Sequence, residues 1–410
     1  MIVTYAKIDG FKNLSGISFV PDPKYNIISG RNAQGKTNLI ESIWIMSGCK
    51  SFRGSKEKDY INLDGNRMTA GIKVLDSVRE QKIEFEMTKG VNSTKLIHLN
   101  GVKQKGTKAL FDVFKCIVFI PDDVDIIRGS PERRRNFIDM AASQLNPVSV
   151  VHLNRHNVIM NHRNALLKEI MQGNAAEDVL EVWDRQAAYE GAFISYMRND
   201  YIKKINEICS RLYCTISGGT ERLELEYRSN IYKPSDFEKP LGEEAVETYF
   251  GKLRETSGYD IRTGSTHAGV NRDEVLIKIN GISAREYGSQ GQIKSTALVM
   301  KLAQAEIFMK KSNDAPVIFL DDVMGELDEK RQRFIFDIIR DMQVFITTCN
   351  ESALLPEIKG KIIHIDNGKI TEEGTHDALL QKGRRYAELF ALQSKYYRTE
   401  VPKSERSFGI

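Results

Sequence analysis

No apolar run in the 410 residues approaches the roughly 20 needed to cross a bilayer as a helix, which argues against a helical membrane protein. Met1 to Gly10 lacks the basic, apolar and small-residue zones of a secretory signal. Cysteine is scarce: Cys49, Cys116, Cys209, Cys214 and Cys349 are odd in number and scattered, which suits reduced thiols in a cytoplasmic protein and no disulfide framework. Cys209 and Cys214 have no second Cys or His pair nearby to make a zinc site. His152 and His156 stand four apart, but no third ligand accompanies them. Heptads are not sustained between 132 and 210, so no long coiled coil is expected. A net charge of +4 is too small to establish nucleic-acid binding, which would need the basic residues gathered on one face. With 41% hydrophobic and 28% charged residues, the chain is long enough for two or three lobes with substantial cores.

Against these absences one stretch stands out. Gly30-Arg31-Asn32-Ala33-Gln34-Gly35-Lys36-Thr37 has the spacing of a phosphate-binding loop. Tyr25 to Ser29 before it reads as a buried strand, and Asn38 to Met46 after it has helical apolar spacing. Gly30 and Gly35 allow the backbone to approach an anion closely, and the helix N-terminus supplies N–H donors. Lys36 is suited to the β- and γ-phosphates, and the Thr37 hydroxyl to Mg²⁺. Such a loop needs a second metal ligand from a distant strand. Val317 to Asp322, an apolar run ending in two carboxylates, supplies it: Asp321 for Mg²⁺, held through a water, and Asp322 to orient or deprotonate an attacking water.

Elsewhere the pattern predicts strands over Ile2 to Ile8, Ile17 to Val20, Met68 to Val74, Lys82 to Met87, Lys95 to Leu99 and Phe114 to Ile120, with an Asn100-Gly101 hairpin turn. Lys12, in an early turn, either reaches the nucleotide or is a solvated turn residue. Arg53, in the basic loop 47–60, has three readings: the nucleotide, a nucleic-acid backbone or water. Lys103, Lys105 and Lys108 are a solvated face or a DNA contact. Ser130-Pro131 reads as an N-cap and first-turn proline, followed by Arg133, Arg134 and Arg135 where cations oppose the helix dipole. Those arginines require a bound partner or nearby carboxylates. Helices are expected over 132–143, 147–172, 177–213, 243–256, 293–311 and 329–340, an irregular stretch over 258–274, and a tail helix over 377–398 before a disordered end.

Ser289-Gln290-Gly291-Gln292 heads the 293–311 helix and offers a hydroxyl and N–H groups to an anion. Together with the phosphate loop, the strand ending in two carboxylates and Glu326-Leu327-Asp328, it resembles the ATP-binding-cassette ATPases. That resemblance implies a mixed α/β head in which Ser289, Gly291 and Gln292 of one copy complete the γ-phosphate site of another. The segment from Pro121-Asp122 to Gly129-Ser130-Pro131-Glu132-Arg133-Arg134-Arg135-Asn136-Phe137-Ile138-Asp139, with Asn32, Asn38, Leu39 and Glu41 around the loop, is similar to the RecF family of bacterial recombination mediators over about residues 1–370.

The RecF resemblance implies an ABC-type head from 1–130 and 265–370, a mainly helical arm lobe from 131–264, and an extension from 371–410. It further implies a slow, DNA-stimulated ATPase using ATP and Mg²⁺. An ATP-dependent homodimer would bind double-stranded DNA and single-strand/double-strand junctions at gaps. With RecR and RecO it would promote RecA loading during DNA repair, replication restart and the SOS response. Lys36, Asp322 and Ser289 carry the catalytic roles by this reading. Gly30, Asn32, Gly35, Lys36, Thr37, Asn38, Lys12, Arg53, Asp321, Ser289, Gly291 and Gln292 bind the nucleotide, with Thr37 and Asp321 on the metal. The alternatives are a nucleotide-gated protein-binding cassette and a transporter ATP-binding subunit. The transporter reading draws on Gly368 to Leu380, which looks like a transporter cassette ending. Gly325 and Val270-Asn271 depart from the RecF pattern, which predicts weaker dimer or nucleotide contacts there.

Overall fold

The computed structural model describes residues 1–384, 386–388 and 391, apart from 91–93, 312–313, 350–353 and 355–357. Its central sheet has the spatial order Lys369–Gly374, Lys361–Asp366, Tyr25–Ser29, Val344–Thr348, Val317–Asp321, Cys116–Phe119. The last five run parallel, and Lys369–Gly374 pairs antiparallel at one edge. Tyr25–Ser29, Val317–Asp321 and Val344–Thr348 are buried at every position because both faces are covered, which is why they read as unbroken apolar runs.

The two-residue period of these strands splits the head into two cores. Ile318, Leu320, Val344 and Ile346 face one, shared with Ala297, Leu298 and Leu302 of the helix Gln290–Lys311. Val317, Phe319 and Phe345 face the other, with Leu39, Ile40, Ile43 and Trp44 of the helix Lys36–Trp44. An antiparallel sheet, ordered Ile17–Phe19, Ile2–Asp9, Arg67–Leu75, Glu80–Thr88, Thr94–Leu99, Val102–Gln104, closes this second core. The Asn100-Gly101 turn has positive φ at both residues, as a two-residue hairpin requires.

Helices Pro131–Leu145, Val148–Met171, Leu180–Ser217 and Glu243–Thr263 form the helical region. Leu180–Ser217 spans two environments. Ala187 to Ile194 packs against Ile159, Tyr249 and Leu253, whereas Tyr201 to Ile216 packs into the head core with Leu223 and Val275. Glu243–Thr263 runs further than predicted, so only part of 258–274 is irregular. His376–Lys382 is helical and capped by Thr375; most of 383–398 and all of 399–410 lie outside the described residues.

The three arginines meet three different fates. Arg134 makes a fork to Glu274 (2.7 and 2.8 Å) and also donates to the carbonyls of Ile127 and Gly129. Arg135 donates to the Asp273 carbonyl (2.8 Å). Arg133 is exposed. Ser130 sits at the N-cap position, but its hydroxyl makes no capping bond. Asp139, at the end of the same motif, grips Arg198 with both oxygens at 2.8 Å, and Arg198 continues to the Val270 carbonyl and Asp273. Burial disfavours the Arg198 charge, but Asp139 leads a set of acidic neighbours that hold its pKa above the ordinary value. Two sequence segments 140 positions apart thus form one buried joint between helix and sheet.

Candidate nucleotide site

Three parallel strands end side by side and deliver the site. Tyr25–Ser29 runs into Gly30, Val317–Asp321 into Asp322 and Val344–Thr348 into Cys349, with Asp321 level with Thr347 and Ser29 level with Thr348. The C-terminal edge of a parallel sheet is where such folds place ligands. A Cβ on Gly30 would run into the Ile365 carbonyl, and one on Gly35 would meet Leu14 at 2.8 Å. Only glycine keeps this loop closed against its neighbours while leaving the backbone exposed to an anion. Gly35, at φ 110°, caps the helix Lys36–Trp44.

Lys36 is buried, and its Nζ lies across the loop, donating to the carbonyls of Gly30 (2.9 Å) and Arg31 (3.1 Å) and to Cys349 Sγ (3.1 Å). Thr37 Oγ1 donates to Asp321 Oδ1 at 3.0 Å. Burial raises the Asp321 pKa, opposed by hydrogen bonds from Thr347 and Thr37 and by the Arg53 charge. A divalent cation would relieve that desolvation cost. A hydroxyl and a carboxylate oxygen are donors of the hard kind Mg²⁺ takes, so Thr37 and Asp321 would hold it, Asp321 through a water. Among the described residues no cluster of three or more His, Cys, Asp or Glu side chains could hold a metal, so phosphate oxygens and water would complete the shell. Asp322 is exposed at the strand end with φ 52°; its N–H donates to Thr347 Oγ1 (2.8 Å), and that hydroxyl lies 3.3 Å from its Oδ1.

Arg53 and Asn38 lie beside this centre. Arg53 Nη1 donates to Asn38 Oδ1 (3.1 Å), and Asn38 Nδ2 donates to Asn13 Oδ1 (2.8 Å), which ties the basic loop to the phosphate-loop helix. Lys12 pairs with the fully buried Glu41 (2.5 Å) and donates to Ser55 (3.0 Å), so its ammonium is held under the basic loop. Asn32 Oδ1 accepts from Cys349 Sγ at 2.7 Å. Thr347 and Asn13 escaped the sequence reading, and Glu41 entered it only as part of the family resemblance, without its pairing to Lys12. Thr347 had one available signal, a hydroxyl residue at the end of an apolar strand.

Ser289, Gly291 and Gln292 stand elsewhere. Among the described residues they make no hydrogen bond to the phosphate loop or to Asp321 and Asp322. Ser289 is exposed, and Ser289 and Gln292 cap one another, N–H to Oε1 at 2.8 Å and N–H to Oγ at 3.2 Å. The departures from the RecF pattern are also placed. Val270 is buried at the helical joint, where its N–H donates to Tyr249 and its carbonyl accepts from Arg198, while Gly325 faces open space. Val270 therefore belongs to the arm's packing rather than to the nucleotide centre.

Cys349 offers a direct check on this geometry. It is exposed beside Lys36, whereas Cys49, Cys116 and Cys209 are buried. Alkylation by N-ethylmaleimide is expected to modify Cys349 and suppress nucleotide binding, and Mg-ATP is expected to slow that modification several-fold. Mass spectrometry of the Cys349 peptide reads the outcome, and equal labelling with and without Mg-ATP would contradict the placement.

Fold and site together define an ATPase head of the cassette class, the class that includes the SMC heads. The SMC head bound to the C-terminal winged-helix domain of ScpA shares this fold at a TM-score of 0.52 and 14% identity, over 93% of this chain and 100% of that one. The family described as RecF/RecN/SMC N terminal domain matches residues 2–367. The DNA replication and repair protein RecF of Desulforamulus reducens is 34% identical over 378 residues, which cover 91% of this chain and 99% of that protein. The solved recombination mediator protein RecF-ATPrS in the RecFOR pathway superposes with a TM-score of 0.83 at 33% identity, covering 90% of this chain and 97% of that one. The chain belongs to the RecF family. No helix among the described residues is long and apolar enough to cross a membrane.

Proposed function

We propose that this chain is an ATP-dependent DNA-binding recombination mediator. Two copies close face to face on ATP, and the closed pair holds double-stranded DNA at single-strand/double-strand junctions. The observation that carries this reading is the division of the site. Lys36, Thr37, Asp321 and Asp322 converge in one chain, while the Ser289–Gln292 turn, with Ser289 exposed, makes no hydrogen bond to them among the described residues, as a site completed by a second copy requires. In the closed pair Lys36 and the loop N–H groups hold the β- and γ-phosphates, and Asp322 orients the attacking water. Thr37 and Asp321 would hold Mg²⁺, which supplies charge neutralisation on the phosphates. Slow hydrolysis releases the DNA. Acting with RecR and RecO, the DNA-bound pair promotes RecA loading in the cytoplasm. Residues 1–130 and 265–370 serve as the head, 131–264 as the arm and 371–410 as an extension.

A basic face supports the DNA contact. Lys50, Lys56, Lys58, Lys103, Lys105 and Lys108 are exposed and form no ion pairs among the described residues, with exposed Glu57 and Asp59 in the first of their segments. Their two segments abut: a Cβ on Gly48 would meet the Thr107 carbonyl at 2.7 Å and the Phe111 ring at 2.9 Å. Phosphate contacts of this kind release counterions, so binding weakens steeply with salt. Fluorescence anisotropy of labelled gapped duplex, with and without Mg-ATP, tests the reading. Tight binding only with Mg-ATP is expected, and reversing Lys103 and Lys105 to Glu should lower both the affinity and the salt slope. Absence of binding in either nucleotide state would overturn the reading in favour of a protein-binding cassette.

A further inference from the structure

The helix Leu180–Ser217 ends at Gly218 and Gly219, both with positive φ, and the chain turns back toward the strand Leu223–Arg228. Glu221 lies in this turn and its backbone is fixed on both sides. Its N–H donates to Ser217 Oγ (3.3 Å), and Arg222 exchanges bonds with Asn280, N–H to Oδ1 at 2.8 Å and carbonyl to N–H at 2.9 Å. The Glu221 carboxylate leaves the foot of the arm and meets the Ser289–Gln292 turn. Oε1 accepts from Gln292 Nε2 at 2.6 Å, and Oε2 accepts from the Tyr213 hydroxyl at 3.1 Å.

This contact fixes which way the Gln292 amide faces. A carboxylate only accepts hydrogen bonds, so it draws the amide nitrogen toward itself and turns the amide oxygen toward the Ser289 N–H. The other half of the reciprocal cap, Gln292 N–H to Ser289 Oγ, then holds the serine hydroxyl at the exposed start of the helix. With Glu221 absent the amide is free to flip. Its NH₂ would then oppose the Ser289 N–H, and the cap would open.

We infer that Glu221 is a positioning residue for the nucleotide site: from the foot of the arm it pre-sets the Ser289–Gln292 turn that completes the site of a second copy. The inference rests on the two-copy reading above. It also gives the arm a direct link to the turn that meets the partner's phosphate.

The test is subunit mixing. Glu221→Ala is expected to lower ATP turnover about tenfold, the cost of losing one charge-assisted hydrogen bond. Nucleotide affinity of the separate copies should be unchanged, which also shows that the variant is folded. Glu221→Gln keeps an acceptor for Gln292 and should recover most of the turnover. Mixing Glu221→Ala with Lys36→Met then places the intact loop of the first opposite the intact turn of the second, and turnover should rise above that of either variant alone. A control mixture of Ser289→Arg with Lys36→Met tests the two-copy site without Glu221. If the control regains turnover and the Glu221→Ala mixture does not, the assignment of Glu221 is overturned. If the control also stays inactive, the two-copy reading fails and the assignment falls with it.

Discussion

Lys36→Met is expected to abolish nucleotide-dependent DNA binding. Methionine approximates the length of the lysine stem, so the buried channel across the loop stays filled, but the ammonium is gone. A hydrogen bond to a charged group contributes about 1.5–3 kcal/mol, so triphosphate affinity should fall by about 10- to 100-fold from that term alone. The closed pair depends on bound ATP in the proposed scheme, so the loss propagates to DNA. Nucleotide binding by isothermal titration and DNA binding by anisotropy should fail together. DNA affinity equal to that of the unmodified protein in Mg-ATP would refute the scheme.

Asp322→Asn should have the opposite effect on the ATP-bound state and trap it. Asp321 is buried and accepts from Thr37, whereas Asp322 is exposed one residue further on, so the substitution leaves the Thr37 contact in place. Asparagine tolerates the positive φ of 52° at this position, so the substitution adds little backbone strain. It retains an oxygen for Thr347 but cannot accept a proton from water. Loss of a general base typically costs about 10²–10⁴-fold in rate. Turnover should therefore collapse while ATP binding persists, and size-exclusion chromatography with light scattering should show a long-lived dimer in Mg-ATP. Unchanged turnover would remove Asp322 from the mechanism.

Much of the head was legible in the sequence because its signals are local. A phosphate loop uses consecutive residues between a strand and a helix, and the sheet's buried strands read as apolar runs because both faces are covered. The Asn100-Gly101 hairpin turn was readable for the same reason: both of its residues take positive φ. The paired carboxylates at 321 and 322 were visible as a strand ending. Boundaries were less legible where packing extended an element, as in Glu243–Thr263, whose last turns are held by the buried Asp260–Arg163 pair.

What the sequence by itself determined is local: the strand and helix that flank Gly30 to Thr37, the buried strand that ends at Asp321 and Asp322, and the helix headed by the Ser289–Gln292 turn. Only the tertiary structure decided what the charged residues do. Arg134 and Arg135 turned inward to Glu274 and the Asp273 carbonyl, Lys12 to Glu41, and Glu221 to Gln292. The physical reason is that a charge carries no local record of its partner. An arginine in a helix's first turn has the same pattern whether it meets DNA, water or a carboxylate 140 positions away, and only the fold brings that carboxylate within hydrogen-bond reach.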